Sequence, residues 1–333
     1  MTRFTILAGL LGLVCVFGAP LSAAQDDIPA SFSREYKLML TPSLFVYQNE
    51  AQTVARLLAE VENTLESAIG RKVRAKPVLK KQREVRFYDV PRRCDLRHYG
   101  YVLRERTDKA QTEVTLKYRA TDSQQVERHA TQPRAPNAQS KLEADIGVQP
   151  DEPFNVVYSH SLSIEKRPAL DEWQAIELLF PDFAIPHLNA DKPPLALVGG
   201  LVIHERVYKN IKIDLGRQDA QMSLTLWYQG QPSANQSPLI AELSFKLDAQ
   251  AQAQAQGYAP KVIERAQQAF LALQSWSAVA VGAATKTARV YQFQTDFCQS
   301  SDEQQLAGLL NSETNQGLGI IDSVEPKHNE SAY

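Results

Sequence analysis

The sequence predicts an α+β protein, a closed or nearly closed antiparallel β-barrel with peripheral helices. Two observations carry this expectation. Short segments keep placing Lys, Arg and Glu at alternate positions, as in Glu35-Tyr36-Lys37, Arg104-Glu105-Arg106, Glu113-Val114-Thr115-Leu116-Lys117 and His204-Glu205-Arg206, and alternate side chains of a strand share one face. The strand-like segments also follow one another without a βαβ rhythm and without a glycine-rich nucleotide fingerprint. Closure removes the unpaired edges that so many strands would otherwise expose. Charges turned inward make a lumen for an anionic ligand; the plainer alternative turns the same charges to water.

Taken in order, residues 1–24 read as a secretory signal peptide. Arg3 supplies the basic start, residues 6–19 the apolar stretch, and Ser22-Ala23-Ala24 the small residues of a cleavage point. The apolar run is shorter than the roughly 20 residues of a membrane span, and no later segment is long and apolar enough to be one. The mature chain is therefore expected to be exported, periplasmic or extracellular, with one folded domain over 25–298 and a polar tail over 299–333. Strands are expected over 32–40, 84–88, 99–106, 113–118, 141–146, 156–167, 198–209, 211–215, 221–228, 239–247 and 288–293. Val54, Leu57, Leu58, Val61, Leu65 and Ile69 recur at helical spacing, which predicts a helix over 53–69 ended by Gly70. Further helices are expected over 170–180 and 261–276, the latter opened by Pro260. Residues 121–140 read as a polar surface loop, and 249–256 as an Ala/Gln low-complexity segment.

The 333 residues carry a formal net charge of -2, so there is no global electrostatic case for a nucleic-acid partner and any basic site must be local. Cys15 leaves with the signal peptide. Cys94 and Cys298 either form one disulfide, as export permits, or remain separate thiols; neither has metal-ligand spacing. Trp173, Trp227 and Trp276 read as packing aromatics, and Ser161 and Ser163 lack a nucleophile elbow.

Read together, these segments resemble the CYTH superfamily, the triphosphate tunnel metalloenzymes. The resemblance lies in Ser33-Arg34-Glu35-Tyr36-Lys37, Arg86-Phe87-Tyr88-Asp89-Val90-Pro91, Gly100-Tyr101-Val102-Leu103-Arg104-Glu105-Arg106 and Glu113-Val114-Thr115-Leu116-Lys117. It continues through Lys141-Leu142-Glu143, His204-Glu205-Arg206, Ile213-Asp214-Leu215-Gly216 and Ala241-Glu242-Leu243-Ser244-Phe245. It implies an antiparallel tunnel of about eight strands acting on a triphosphate-bearing substrate with a divalent metal. By that resemblance Lys37, Arg86, Arg104, Arg106, Lys117, Arg206 and Lys286 cradle phosphates. Glu35, Glu113, Glu143, Asp214 and Glu242 bind Mg²⁺ or Mn²⁺ or balance those bases. Ser33 and Ser244 stand where the pattern has Glu, and His204 where it has a base; each lost carboxylate removes a charged oxygen ligand. Two functions follow as expectations. One is metal-dependent hydrolysis of inorganic triphosphate, polyphosphate or another triphosphate-bearing substrate. The other is a non-catalytic exported protein that binds an anion or a partner. The sequence fixes no oligomeric state.

Overall fold

The computed structural model describes residues 28–109, 111–130, 135, 137–165, 169–248 and 257–299. The signal-peptide reading, the Ala/Gln segment and nearly all of the tail lie outside the described residues. Ten strands form one sheet: β1 (Ser33–Leu40), β2 (Val73–Asp89), β3 (Tyr101–Asp108), β4 (Gln111–Ala120), β5 (Gln139–Gln149), β6 (Glu152–Glu165), β7 (Ala196–Leu197), β8 (Ile203–Asp214), β9 (Asp219–Gln229) and β10 (Ile240–Leu247). Around them lie α1 (Glu50–Ile69), α2 (Asp95–His98), α3 (Ser123–Arg128), α4 (Trp173–Leu179), α5 (Pro186–Asp191), α6 (Pro260–Gln274) and α7 (Lys286–Tyr291).

The strand order is β3-β4-β6-β5-β1-β10-β9-β8-β2-β7, with a further β2–β3 pairing that makes the bonding ring-like. This corrects the expected closed or nearly closed antiparallel barrel of about eight strands on three counts. There are ten strands among the described residues. The sheet is mixed, because β1 pairs β5 in parallel through Ser33 to Tyr36. The β2–β3 seam covers only Glu84 to Tyr88, although β2 begins at Val73. Along its first half β2 pairs with β8 alone. There the Val73 and Ala75 N–H groups donate instead to Glu66 and Glu62 of α1, at 3.0 and 3.2 Å, so a helix covers a sheet edge that would otherwise be bare.

Further segments differ from the sequence reading: within 121–140, expected as a loop, lie α3 and the start of β5. Residues 73–83, which carry Pro77, extend β2 rather than lying outside it. The proline sits in an irregularity between Ala75 and Val78, where a missing N–H breaks no ladder bond. The last expected strand is instead helix α7, whose first free N–H groups are met by the Thr285 side chain accepting from Ala288.

The apolar faces of the sheet pack outward against helices. Val54, Leu58, Val61 and Leu65 of α1 and Ala266, Phe270 and Leu273 of α6 are buried against Tyr36, Leu38, Ile211, Ile213, Leu224 and Phe245. The Tyr36 and Phe245 rings stack at 4.8 Å. Trp173 and Ile176 of α4 cover Leu103, Val114, Leu116 and Leu162 in the same way. Helices therefore occupy the outer face and leave the charged face inside.

Cys94 and Cys298 form a disulfide across a sequence separation of 204 residues. Beside it the buried Asp89 carboxylate accepts from Val90, Leu96 and Arg97 N–H groups and from the Tyr291 hydroxyl; burial pushes its pKa up to about 6. Together these fasten α7 to the end of β2. Opening so long a loop frees much denatured-state entropy. Cys94→Ser combined with Cys298→Ser is therefore expected to lower stability by about 2–5 kcal/mol, read from urea melts. A change under about 0.5 kcal/mol would show that the denatured chain gains little from the cross-link.

Candidate functional site

The inner face of the sheet lines a cavity of about 660 Å³. Strand alternation puts its side chains there: Glu35 and Lys37 from β1, Lys81 and Arg83 from β2, Arg104 and Arg106 from β3, and Glu113, Thr115 and Lys117 from β4. Lys141, Glu143 and Asp145 come from β5, Glu242 and Lys246 from β10. The segment after α6 crosses one end and contributes Thr285, Lys286 and Thr287. In all, eleven Lys and Arg side chains face five Asp and Glu, a strongly positive interior in a chain whose formal charge is -2.

The two sides of the cavity differ. On the β1–β5–β10 side, bases and acids interlock. Lys37 Nζ lies 2.8 Å from Asp145 and 3.2 Å from Glu35. Lys117 Nζ lies 3.3 Å from Glu143 and 3.4 Å from Asp145, and Lys246 Nζ 2.6 Å from Glu143. Burial alone would raise the Glu143 and Asp145 pKa values, but Lys117 and its neighbours Lys37 and Lys246 or Arg119 hold both well below the usual carboxylate range. Burial opposes the charge on Lys37, yet Asp145 and Glu35 keep its pKa raised. At the cavity end Lys286 Nζ meets Glu242 at 2.6 Å and stands 5.5 Å from the Trp227 ring centre.

On the β2–β3–β8 side the bases outnumber their partners. Glu205, 1% exposed, receives Arg83 at 2.8 Å and Arg106 at 3.8 Å. Arg104 donates to Thr115 Oγ1 at 3.4 Å. Arg104 Nε and Arg106 Nε are buried without a hydrogen-bond partner among the described residues. Burial first, and then the like charge of Arg106, press the Arg104 pKa well down. Burial, Arg83 and Lys209 press Lys81 down likewise. Guanidinium forks crowded in this way suit an anion with several oxygens.

Of the residues singled out from the sequence, Lys37, Arg104, Arg106, Lys117, Lys286, Glu35, Glu113, Glu143 and Glu242 line the cavity. Three do not. Arg86 lies on the opposite face of β2, 2.6 Å from Glu84 and 3.5 Å from Glu105. Arg206 faces outward to α1, 2.7 Å from Glu50. Asp214 sits at the end of β8, bound by Arg71 at 2.7 Å. Sequence reasoning missed Arg83, Asp145, Glu205 and Arg119. Asp145 follows Glu143 by two and so lies in the phase already read as inward, whereas Glu205 lies in the phase opposite to Arg206.

The expected metal ligands do not gather for a divalent cation in this arrangement. Of the five, Glu35, Glu143 and Glu242 each have a lysine ammonium within 3.2 Å, Asp214 is bound by Arg71 outside the cavity lining, and Glu113 lines the cavity. No group of three or more His, Cys, Asp or Glu side chains comes together as a ligand set among the described residues.

Fold and cavity thus define a ring-paired β-sheet protein with a cation-lined interior. No protein-family model matches the chain, and no curated protein matches it. Among solved structures it is similar to a candidate adenylyl cyclase of Hippeastrum described as having a dominant triphosphatase activity. That similarity has 14% identity and a TM-score of 0.36, over 78% of this chain and 95% of that one. It is also similar to a candidate adenylate cyclase of Bacillus halodurans, with 11% identity and a TM-score of 0.35 over 78% of this chain and 97% of that one. A protein of Pyrococcus horikoshii gives 11% identity and a TM-score of 0.31, over 79% and 98%. These likenesses are remote, and the functional reading rests on the cavity itself.

Proposed function

We propose that the chain is an exported protein that binds a small phosphate-rich anion in this cavity and does not hydrolyse it. One observation carries the reading: a cavity with eleven bases and five acids, whose surplus sits at Arg104 and Arg106. A multiply charged phosphoryl group there replaces cation–cation repulsion with charge-assisted hydrogen bonds. The non-catalytic part is supported by the cavity carboxylates, four of whose five (Glu35, Glu143, Asp145 and Glu242) are already paired with lysines and so are poor hosts for Mg²⁺ or Mn²⁺. Export is supported by the Cys94–Cys298 disulfide, a bond that persists in oxidising compartments.

The test is isothermal titration of the chain lacking residues 1–24 with tripolyphosphate, with and without Mg²⁺ or Mn²⁺, followed by phosphate release on the same samples. The expected result is metal-independent saturation at one site without turnover. Metal-dependent turnover, lost in Glu35→Ala, would replace this reading with the hydrolase. Absence of binding would leave a domain whose charges serve only one another.

A further inference from the structure

The charged inner face does not stop at the cavity. Residues directly opposite one another form a row across five strands: Arg74 on β2, Lys212 on β8, Gln221 on β9, Lys246 on β10 and Glu35 on β1. Directly opposite residues of an antiparallel pair share a face. Glu35 and Lys246 line the cavity, so Arg74 and Lys212 stand on that same face, beyond its rim. Their neighbours Val73, Ala75, Ile211 and Ile213 point the other way, into the core under α1. Nearer the cavity Val78 stands opposite Lys209, and Lys209 belongs to the lining. Irregularities in β2 after Ala75 and after Leu79 fall at Lys76 and Lys80, both exposed.

This strand pair holds its charges against its own stability. Arg74 and Lys212 place like charges directly across from each other, a destabilising arrangement. Among the described residues Arg74, Lys76, Lys80 and Lys212 form no ion pair. At the end of β8 Asp214 is taken by Arg71, and Asp219 of β9 stands opposite Asp214 rather than opposite Arg74 or Lys212. From Arg74 to Lys81, β2 covers on the order of 20 Å at about 3.3 Å per residue. At its inner end Lys81 and Lys209 belong to the cavity lining, so the basic strand pair leads into the cavity.

We propose that β2 and β8 form the outer half of the anion site, and that the occupant is a linear polyanion. One end lies among Arg104, Arg106 and Lys117, and the rest passes Lys81 and runs along the strand pair to Arg74 and Lys212. This rests on the anion-binding reading of the cavity and deepens it. A short anion seated inside leaves the rim cations uncovered, whereas a chain with regularly spaced charges neutralises both halves. Every added contact releases counterions and steepens the salt dependence.

The experiment compares tripolyphosphate with long-chain inorganic polyphosphate on the exported chain at several salt concentrations. The same titrations are run on Arg74→Glu/Lys76→Glu/Lys80→Glu/Lys212→Glu and on the milder Arg74→Gln/Lys212→Gln, each checked for folding by its thermal melt. The long chain is expected to bind at least about 10-fold tighter than tripolyphosphate, per chain end and with a steeper salt slope. Charge reversal is expected to cut that advantage to under about 2-fold while tripolyphosphate affinity stays within about 3-fold, because the reversed side chains lie outside the cavity. The Gln pair is expected to fall between. If tripolyphosphate binds and the long chain binds no tighter, or if the advantage survives charge reversal, the outer half-site is overturned and the cavity reading stands. If tripolyphosphate fails to bind, the cavity reading falls, and this inference falls with it even where long chains adhere to the rim.

Discussion

Glu50→Ala is expected to lower the unfolding free energy by about 3–5 kcal/mol while leaving tripolyphosphate affinity unchanged. Glu50 opens α1 and is 2% exposed. Its carboxylate accepts from Arg206 Nε at 2.7 Å, from the Tyr208 hydroxyl at 2.5 Å and from the Tyr228 hydroxyl at 2.7 Å. Burial, with the Glu50 charge, pushes both tyrosine pKa values up and keeps them as donors. A negative charge at a helix N-terminus also meets the favourable end of the macrodipole. Removing it strands a buried guanidinium, which retains Gln82 at 2.5 Å and the Tyr47 ring face, together with two hydroxyls. Stranded buried donors lose their solvation without return. Urea unfolding measures the loss, and Glu50→Gln, which keeps one acceptor, is expected to recover part of it. A loss below about 1 kcal/mol would show that solvent reaches Arg206 and that the cluster does not fasten α1 to the sheet.

Arg206 also shows where the sequence stops being legible. On β3 and β4 only one phase of alternation carries charge without large apolar residues. Arg104, Arg106, Glu113 and Lys117 were therefore readable as one face, and all four line the cavity. On β2 both phases mix charge and ring: Arg83-Glu84-Val85-Arg86-Phe87-Tyr88 reads equally well with Arg86 or with Arg83 inward. The irregularity after Leu79 settles it, and a one-residue slip exchanges the faces. On β8 the helix-facing positions are themselves charged, so Arg206 imitates a site residue while Glu205 is the one inside. Local pattern also cannot name a strand's partner. Strand existence was readable for most of the sheet, but beyond the β3–β4 hairpin the pairing order, the parallel β1–β5 pair and the short β2–β3 seam depend on contacts far apart in the chain. Pro77 concealed the first half of β2 because a proline inside a strand ordinarily argues against one.

Arg104→Met with Arg106→Met is expected to weaken tripolyphosphate binding by about 100-fold or more and to leave the protein as stable as before or more so. The two halves of this expectation come from the same electrostatics. Hydrogen bonds to charged groups contribute about 1.5–3 kcal/mol each, and these two guanidiniums have unused buried donors aimed at no partner among the described residues. In the unliganded protein they cost free energy. Burial depresses both, helped at Arg104 by the charge of Arg106 and at Arg106 by that of Arg83, and Glu205, shared with Arg83, is the carboxylate that Arg106 reaches. Met keeps much of the packing volume and removes the charge, the kind of exchange that is often neutral or stabilising at buried ionic sites. Arg86→Met, on the outer face, is the control and is expected to leave affinity unchanged. Titration and urea unfolding on the same variants separate the cases. Lost affinity with retained stability identifies charges held ready for an anion. If both fall together, the arginines are structural, held by Glu205 and Thr115. If affinity holds in the double variant, the anion does not sit on the β2–β3–β8 side, and the lysines around Glu143 and Asp145 become the place to look.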